Sequence, residues 1–204
     1  MKVFIVPARY NPVSPFANMF LANGWGVTGD INSADLIQFI GGADVTPSLY
    51  KQQRHHTTRN KPERDRYEKE IYDRYKGKKP MAGVCRGAQF LWVMNGGKLY
   101  QDVSGHKQGH DLRGGPSEGV ICRANSTHHQ AMKASEKSGM WSHVLAYSMD
   151  NGATAGAGST RGIEVAVIKK TKSLCFQPHP EHSGYDQLTA YYFQLIWNHL
   201  VDKG

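Results

Sequence analysis

Apolar residues along this chain fall into short continuous runs separated by longer amphipathic stretches. Residues 3–8 and 36–40 read as buried strands, the second stopping at Gly41-Gly42. Residues 16–22 suit a short helix that ends at Gly24. Residues 62–75 are heavily charged, yet Tyr67, Ile71 and Tyr75 recur four apart, which predicts a helix with one apolar stripe. Residues 81–84 form another buried run, followed at once by a helical pattern over 86–94 in which Phe90, Leu91 and Met94 pack. Four more runs, 119–123, 144–148, 163–168 and 173–176, read as strands. A terminal helix over 185–201 carries Leu188, Tyr192, Leu195 and His199 on one stripe.

Strands alternating with helices in the first half predict an α/β fold, with a mostly parallel sheet covered by helices on both faces. The strands of the second half, closely spaced and without helices between them, predict an antiparallel extension. The polar loop over 43–60 is long enough to suggest a functional role. No repeat or linker interrupts the pattern, so residues 1–204 read as one domain. The glycine- and alanine-rich stretch over 152–160 reads as a loop, with a lid as its functional alternative.

Chemistry enters at Gly83-Val84-Cys85-Arg86-Gly87. A G-x-C-x-G turn between a strand and a helix is the thiol counterpart of the G-x-S-x-G nucleophile elbow. The turn needs small neighbours, because a strained backbone must lift one side chain clear of the sheet. A cysteine there meets a helix N-terminus, whose free N–H groups favour a thiolate. Far downstream lies Gln177-Pro178-His179-Pro180-Glu181. His179 and Glu181 are two apart, so on an extended backbone both side chains point the same way. Pro180 favours that extended backbone. A carboxylate beside an imidazole sets its tautomer, which predicts a triad of Cys85, His179 and Glu181.

At these two motifs the chain resembles the class I glutamine amidotransferase superfamily, and within it the gamma-glutamyl hydrolase branch that includes the gamma-glutamyl-GABA hydrolases. Further stretches in the branch's order carry the resemblance. They are the loop from Gly41-Gly42-Ala43-Asp44 to Tyr50, the helix start Arg64-Asp65-Arg66-Tyr67-Glu68, the segment Gly96-Gly97-Lys98-Leu99-Tyr100-Gln101-Asp102, the motif Asn125-Ser126-Thr127-His128-His129-Gln130, and Gly162-Ile163-Glu164. Two places depart from it. Pro178 stands where the family usually has an aromatic residue, and the stretch 104–119 carries glycines of its own.

The resemblance implies a three-layer αβα sandwich of flavodoxin-like, glutamine amidotransferase-like type. It implies acyl transfer through a glutamyl thioester. Cys85 is the nucleophile, His179 the base and then acid, and Glu181 the residue that orients His179. Backbone N–H groups of Gly42 and Arg86 form the oxyanion hole, and Gly41, Gln89, His129 and Gln130 lie toward the substrate. Asp44 and Glu164 have weaker claims, and Arg64, Asp65 and Glu68 are expected to stabilise a helix start. The implied substrate is a small gamma-glutamyl amide, with no metal or organic cofactor. Two alternatives stand beside this hydrolase: an ammonia-supplying subunit acting with a separate synthetase, and a non-catalytic ligand-binding module on the same fold.

Composition changes this picture little. A net charge of +8 raises the question of an acidic partner. The basic residues are scattered in short clusters, 76–79 and 169–172, with no aromatic interleaving and no nucleic-acid motif, so nucleic acid is disfavoured. No window reaches membrane-spanning length, and the first apolar run is too short for a signal peptide. Three cysteines, Cys85, Cys122 and Cys175, form no disulfide framework, which points to the cytoplasm. Two further patterns fail on context. Gly24-Trp25-Gly26-Val27-Thr28-Gly29 matches a dinucleotide fingerprint as a string but follows a helix rather than a strand. His106, His110 and Asp111 have metal-ligand spacing only on a helix, which Gly105 and Gly109 oppose.

Overall fold

The computed structural model describes residues 1–8, 13–103, 109–114, 119–133, 143–148 and 162–201. Its strands are β1 (Lys2–Ile5), β2 (Gly26–Val27), β3 (Leu36–Phe39), β4 (Met81–Val84), β5 (Lys98–Tyr100), β6 (His110–Arg113), β7 (Val120–Ala124), β8 (Ala131–Lys133), β9 (Val144–Ser148), β10 (Gly162–Ile168) and β11 (Ser173–Phe176). Its α-helices are α1 (Ser14–Ala22), α2 (Pro62–Tyr75), α3 (Arg86–Met94) and α4 (Asp186–His199). The strands join one sheet in the order β2-β1-β3-β4-β11-β10-β9-β6-β7, with β8 pairing β10 and β5. The pairs from β2 across to β11 are parallel. From β11 outward, through β10, β9, β6 and β7 and including β8 and β5, they are antiparallel. The α/β sheet with its antiparallel extension is as the sequence predicts.

Two cores lie on opposite faces of the sheet. Phe16, Met19 and Phe20 of α1 join Leu188, Tyr192, Leu195 and Ile196 of α4 on one face. Ile71, Tyr72 and Tyr75 of α2 join Ala88, Phe90 and Leu91 of α3 on the other. Alternation along the strands supplies both: Leu36 and Ile40 face the first core, Ile37 and Phe39 the second. The result is three layers, helices over and under a sheet.

Two expected stripes are adjusted. Tyr67 is exposed; the buried face of α2 runs through Asp65, Glu68, Ile71, Tyr72 and Tyr75. Its lower half is apolar and its upper half is charged, because α2 rises past the core to the underside of the turn after β4. On α4 the stripe ends at Leu200, and His199 is exposed. Met94 of α3 is partly buried and packs against the second core, as expected. The first strand ends at Ile5, three residues short of its expected limit. Four short strands, β2, β5, β6 and β8, had no legible pattern. The Gly24–Gly29 string contains β2 itself, so it opens no nucleotide-binding helix. The 152–160 stretch and His106 lie outside the described residues. Among the described residues, no helix is long and apolar enough to cross a membrane.

Candidate active site

Parallel β3, β4 and β11 are adjacent, and each ends at the same edge of the sheet. Their ends deliver Gly41-Gly42, Cys85 and His179 to one place. Neighbouring strands stand about 4.8 Å apart, so side chains leaving three adjacent strand ends are within reach of one another. This is the crevice where sites form in open α/β sheets.

Cys85 sits between β4 and α3 with φ 51° and ψ −112°. A positive φ on a residue with a side chain is strained and persists only where the surroundings impose it. They do so here. The Cys85 N–H donates to Phe176 O at 3.0 Å, and its carbonyl accepts from Gln89 N at 3.1 Å. A Cβ on Gly83 would collide with the Gly87 carbonyl, and one on Gly87 with the Phe39 carbonyl. Both glycines therefore permit the close approach of backbone that the elbow requires.

His179 follows β11. Its Nδ1 lies 2.7 Å from Glu181 Oε1, and its Nε2 lies 3.1 Å from Thr127 Oγ1. A Cβ on Gly41 would stand 3.4 Å from His179 Cε1 and 3.8 Å from Cys85 Cβ, so the three strand ends converge on one point. Burial by itself would push the His179 imidazole down. The adjoining Cys85 thiol and the Glu181 carboxylate outweigh it and raise the group from 6.5 to about 10. Asn125 fixes the backbone of His179 through two hydrogen bonds. Thr127 and Asn125 were not singled out from sequence, although both lie inside the Asn125–Gln130 motif.

Beneath the elbow lies a group of charges that sequence reading assigned to a helix start. Arg86 is 2% exposed and forms ion pairs with Asp65 and Glu68 on α2. Glu68 also accepts from Arg64 Nε at 2.7 Å. Arg64 donates onward to the carbonyls of Gly41 at 2.9 Å and Ile40 at 2.8 Å. Asp65 accepts from the Thr46 N–H at 2.9 Å and from its hydroxyl. Burial, and then the neighbouring Arg64 charge, push the Arg86 guanidinium down to about 9, and burial pushes Arg64 down to about 10, with Asp65 opposing both shifts. Asp65 lies in the first turn of α2, as expected of a helix start, and both Asp65 and Glu68 also pair inward with Arg86 of the elbow.

The remaining expected residues form a second tier. Gln89 is buried, and its Nε2 donates to Gln130 O at 2.9 Å and Gln177 Oε1 at 3.1 Å. Gln130 is buried as well, with Nε2 3.3 Å from both Thr58 Oγ1 and Gln101 O. His129 is partly exposed; its Nε2 lies 3.1 Å from Asp44 Oδ1 and its Nδ1 3.7 Å from Asp102. Asp44 also accepts from the Arg59 N–H at 2.7 Å, which draws the two ends of the 43–60 loop together, and its contact with His129 ties that loop to the site. Glu164 sits at an irregularity in β10, inside the protein, 3.4 Å from His110 and 3.9 Å from His128. His110 lies on β6. Among the described residues, His179, Glu181 and His182 are the group whose ligand atoms lie within 4.8 Å of one another, and two of them already serve each other as imidazole and carboxylate.

An elbow cysteine and a strand-end His-x-Glu at this sheet edge match a known pattern. The model of one family, peptidase C26, matches residues 27–181. The chain belongs to the peptidase C26 family. This agrees with the glutamine amidotransferase-like resemblance read from the motifs. Peptidase C26 membership is accompanied by likeness to curated proteins. The chain is 33% identical over 159 residues to the glutamine amidotransferase-like protein YvdE of Lactococcus lactis, covering 72% of this chain and 66% of that one. It is 30% identical over 174 residues to protein NtpR of Enterococcus hirae, covering 74% and 68%. Part of each relative thus lies outside the match. Among solved structures, a chain of PurLQS from Thermotoga maritima superposes with a TM-score of 0.63 at 17% identity, covering 97% of both chains. A glutamine amidotransferase from the same organism gives 0.60 at 12% identity, covering 97% of this chain and 84% of that one. At such identities the likeness is one of fold.

Proposed function

We propose that this chain is a cysteine amidase that cleaves the side-chain amide of glutamine or of a gamma-glutamyl compound, as one catalytic unit over residues 1–204. The observation that carries the reading is the convergence of a strained elbow cysteine, a His179–Glu181 pair and the Gly41-Gly42 turn on one sheet edge.

In this reading His179 takes the Cys85 thiol proton, leaving thiolate and imidazolium for the attack. The sulfur attacks the amide carbonyl. The oxyanion is held by the N–H groups of Gly42 and Arg86, preorganised donors that need no rearrangement as charge develops. The His179 imidazolium protonates the leaving nitrogen, the C–N bond breaks and a thioester remains. His179, now neutral, takes a proton from water, which attacks the thioester and releases the carboxylate. Glu181 keeps Nδ1 protonated and the ring in register. His129, partly exposed and paired with Asp44, meets substrate in this reading; Gln89 and Gln130, buried and hydrogen-bonded to backbone, support the site from within. Three unpaired cysteines fit a reducing compartment such as the cytoplasm.

A second reading, ammonia supply to a separate synthetase, is supported by the likeness to proteins named for glutamine amidotransfer. Strong hydrolysis by the isolated chain favours the first reading; hydrolysis that rises only when a synthetase is added favours the second. A purely binding role has the intact triad against it.

The test is labelling with a diazo-ketone analogue of glutamine, followed by mass spectrometry. The label is expected on Cys85, and a competing gamma-glutamyl amide is expected to block it. Modification of Cys85 by a general thiol reagent, but not by the analogue, would overturn the substrate class.

A further inference from the structure

We propose that Arg64 is a positioning residue that aims the oxyanion-hole N–H of Gly42, and that the carboxylates it shares with Arg86 join both oxyanion donors into one rigid unit. This rests on the acyl-transfer reading above and concerns residues that reading leaves unused.

In an extended strand, successive carbonyls point to opposite sides. After β3 they do not. The carbonyls of Ile40 and Gly41 both accept from the one planar guanidinium of Arg64, at 2.8 and 2.9 Å. A peptide unit is planar and trans, so its N–H points away from its own carbonyl. Holding these two oxygens therefore turns the N–H groups of Gly41 and Gly42 together away from Arg64. Successive N–H groups turned the same way form an anion-binding concavity. Gly42 has φ 134°, a conformation that only glycine adopts readily. This peptide pair borders the nucleophile, since a Gly41 Cβ would stand 3.8 Å from Cys85 Cβ.

The second donor is the N–H of Arg86, and its side chain is held by the same residues. Glu68 gives one oxygen to Arg64 and the other to Arg86, and Asp65 gives one to Arg86 and the other to Thr46. One turn of α2 thus ties together the turn after β3, the elbow after β4 and the start of the 43–60 loop. A fork of five fixed donors suits this task, and lysine is no substitute where two carbonyls must be bridged. Every carboxylate oxygen of Asp65 and Glu68 accepts a hydrogen bond here, which rigidifies the network; with one member gone, its buried partners are left uncompensated.

The experiment compares the full chain with Arg64→Lys and with Glu68→Gln, each checked for folding by thermal unfolding. Three rates are read. The first is hydrolysis of glutamine and a gamma-glutamyl anilide. The second is acylation of Cys85 by p-nitrophenyl acetate, in which an S–C bond forms, p-nitrophenolate leaves and an oxyanion develops. The third is alkylation of Cys85 by iodoacetamide, in which an S–C bond forms, iodide leaves and no oxyanion develops. In Arg64→Lys, kcat and the acylation rate are expected to fall by about tenfold or more, because a donor is mis-aimed rather than deleted. KM and the alkylation rate should stay within a factor of about two. Glu68→Gln should show the same split at smaller size, and it carries the test if Arg64→Lys does not fold. Unchanged kcat in a folded variant overturns the proposal. So does a parallel fall in alkylation, which would mean that the network merely supports the nucleophile. A wild-type chain that is acylated by p-nitrophenyl acetate but inert to glutamyl amides would overturn the substrate class instead, and the acylation-to-alkylation comparison would still decide the role of Arg64.

Discussion

Asn125 grips the backbone of His179 from both sides of the residue: its Nδ2 donates to His179 O at 2.8 Å, and its Oδ1 accepts from His179 N at 2.7 Å. The side-chain amide stands in for a neighbouring strand just beyond the end of β11. Pro178 and Pro180 restrict the backbone on either side but supply no N–H donors of their own. Truncation to alanine would leave both backbone groups of His179 without that partner. Asn125→Ala is expected to destabilise the fold by about 1–3 kcal/mol and to lower hydrolysis by about tenfold or more through a misplaced imidazole. Thermal unfolding and kcat, measured together, check it.

The His179 proton is held more tightly in the folded chain than in the unfolded one, about 10 against an ordinary 6.5. The stability this contributes is fully present below about 6.5 and is lost as pH rises through about 10. Glu181→Gln and Cys85→Ser each remove a group that raises it, so each should move the loss to lower pH. The His179 Cε1 proton resonance, followed from pH 5 to about 11, reads the midpoint directly, and the unfolding free energy over the same range should track it. A midpoint that stays fixed in both variants would refute the assignment of cause.

The three thiols should differ in reactivity. Burial pushes Cys122 up to about 11 and Cys175 higher still. Cys175 is fully enclosed between β4 and β10. Native protein treated with iodoacetamide near neutral pH is expected to take up one equivalent, at Cys85, while the other two react only after denaturation. Peptide mass mapping decides it. Early modification of Cys175 would contradict the described core.

Gly83 and Gly87 admit no side chain. The first would drive a Cβ into the Gly87 carbonyl, the second into the Phe39 carbonyl, and neither obstacle is the flexible end of a side chain. Gly83→Ala and Gly87→Ala are each expected to cost about 3 kcal/mol or more, or to give insoluble chain. By contrast, Gly29→Ala, where nothing lies within 4 Å, should be close to neutral in thermal unfolding.

Much of this was legible in the sequence. Continuous apolar runs located β3, β4, β10 and β11, because strands buried on both faces need no polar alternation. The elbow and the His179-Pro180-Glu181 spacing specified chemistry locally, through backbone turns that need particular residues at particular positions. The partnership of Arg86 with Asp65 and Glu68 was not legible. Charges on a helix read as a solvated face, and only packing against α3 makes them interior. The short strands β5, β6 and β8 were missed for a related reason. Three or four residues hold no period, and it is pairing with partners far along the chain that makes them strands. The Gln89 amide is committed to Gln130 and Gln177 by burial, which its place in a motif does not reveal. The sequence by itself determined the local geometry of the nucleophile and its imidazole, since elbow and proline turn are short-range backbone constraints. Only the tertiary structure decided which distant charges lie beneath them, because burial and ion pairing depend on which helix faces the sheet edge, and that is settled by the whole core at once.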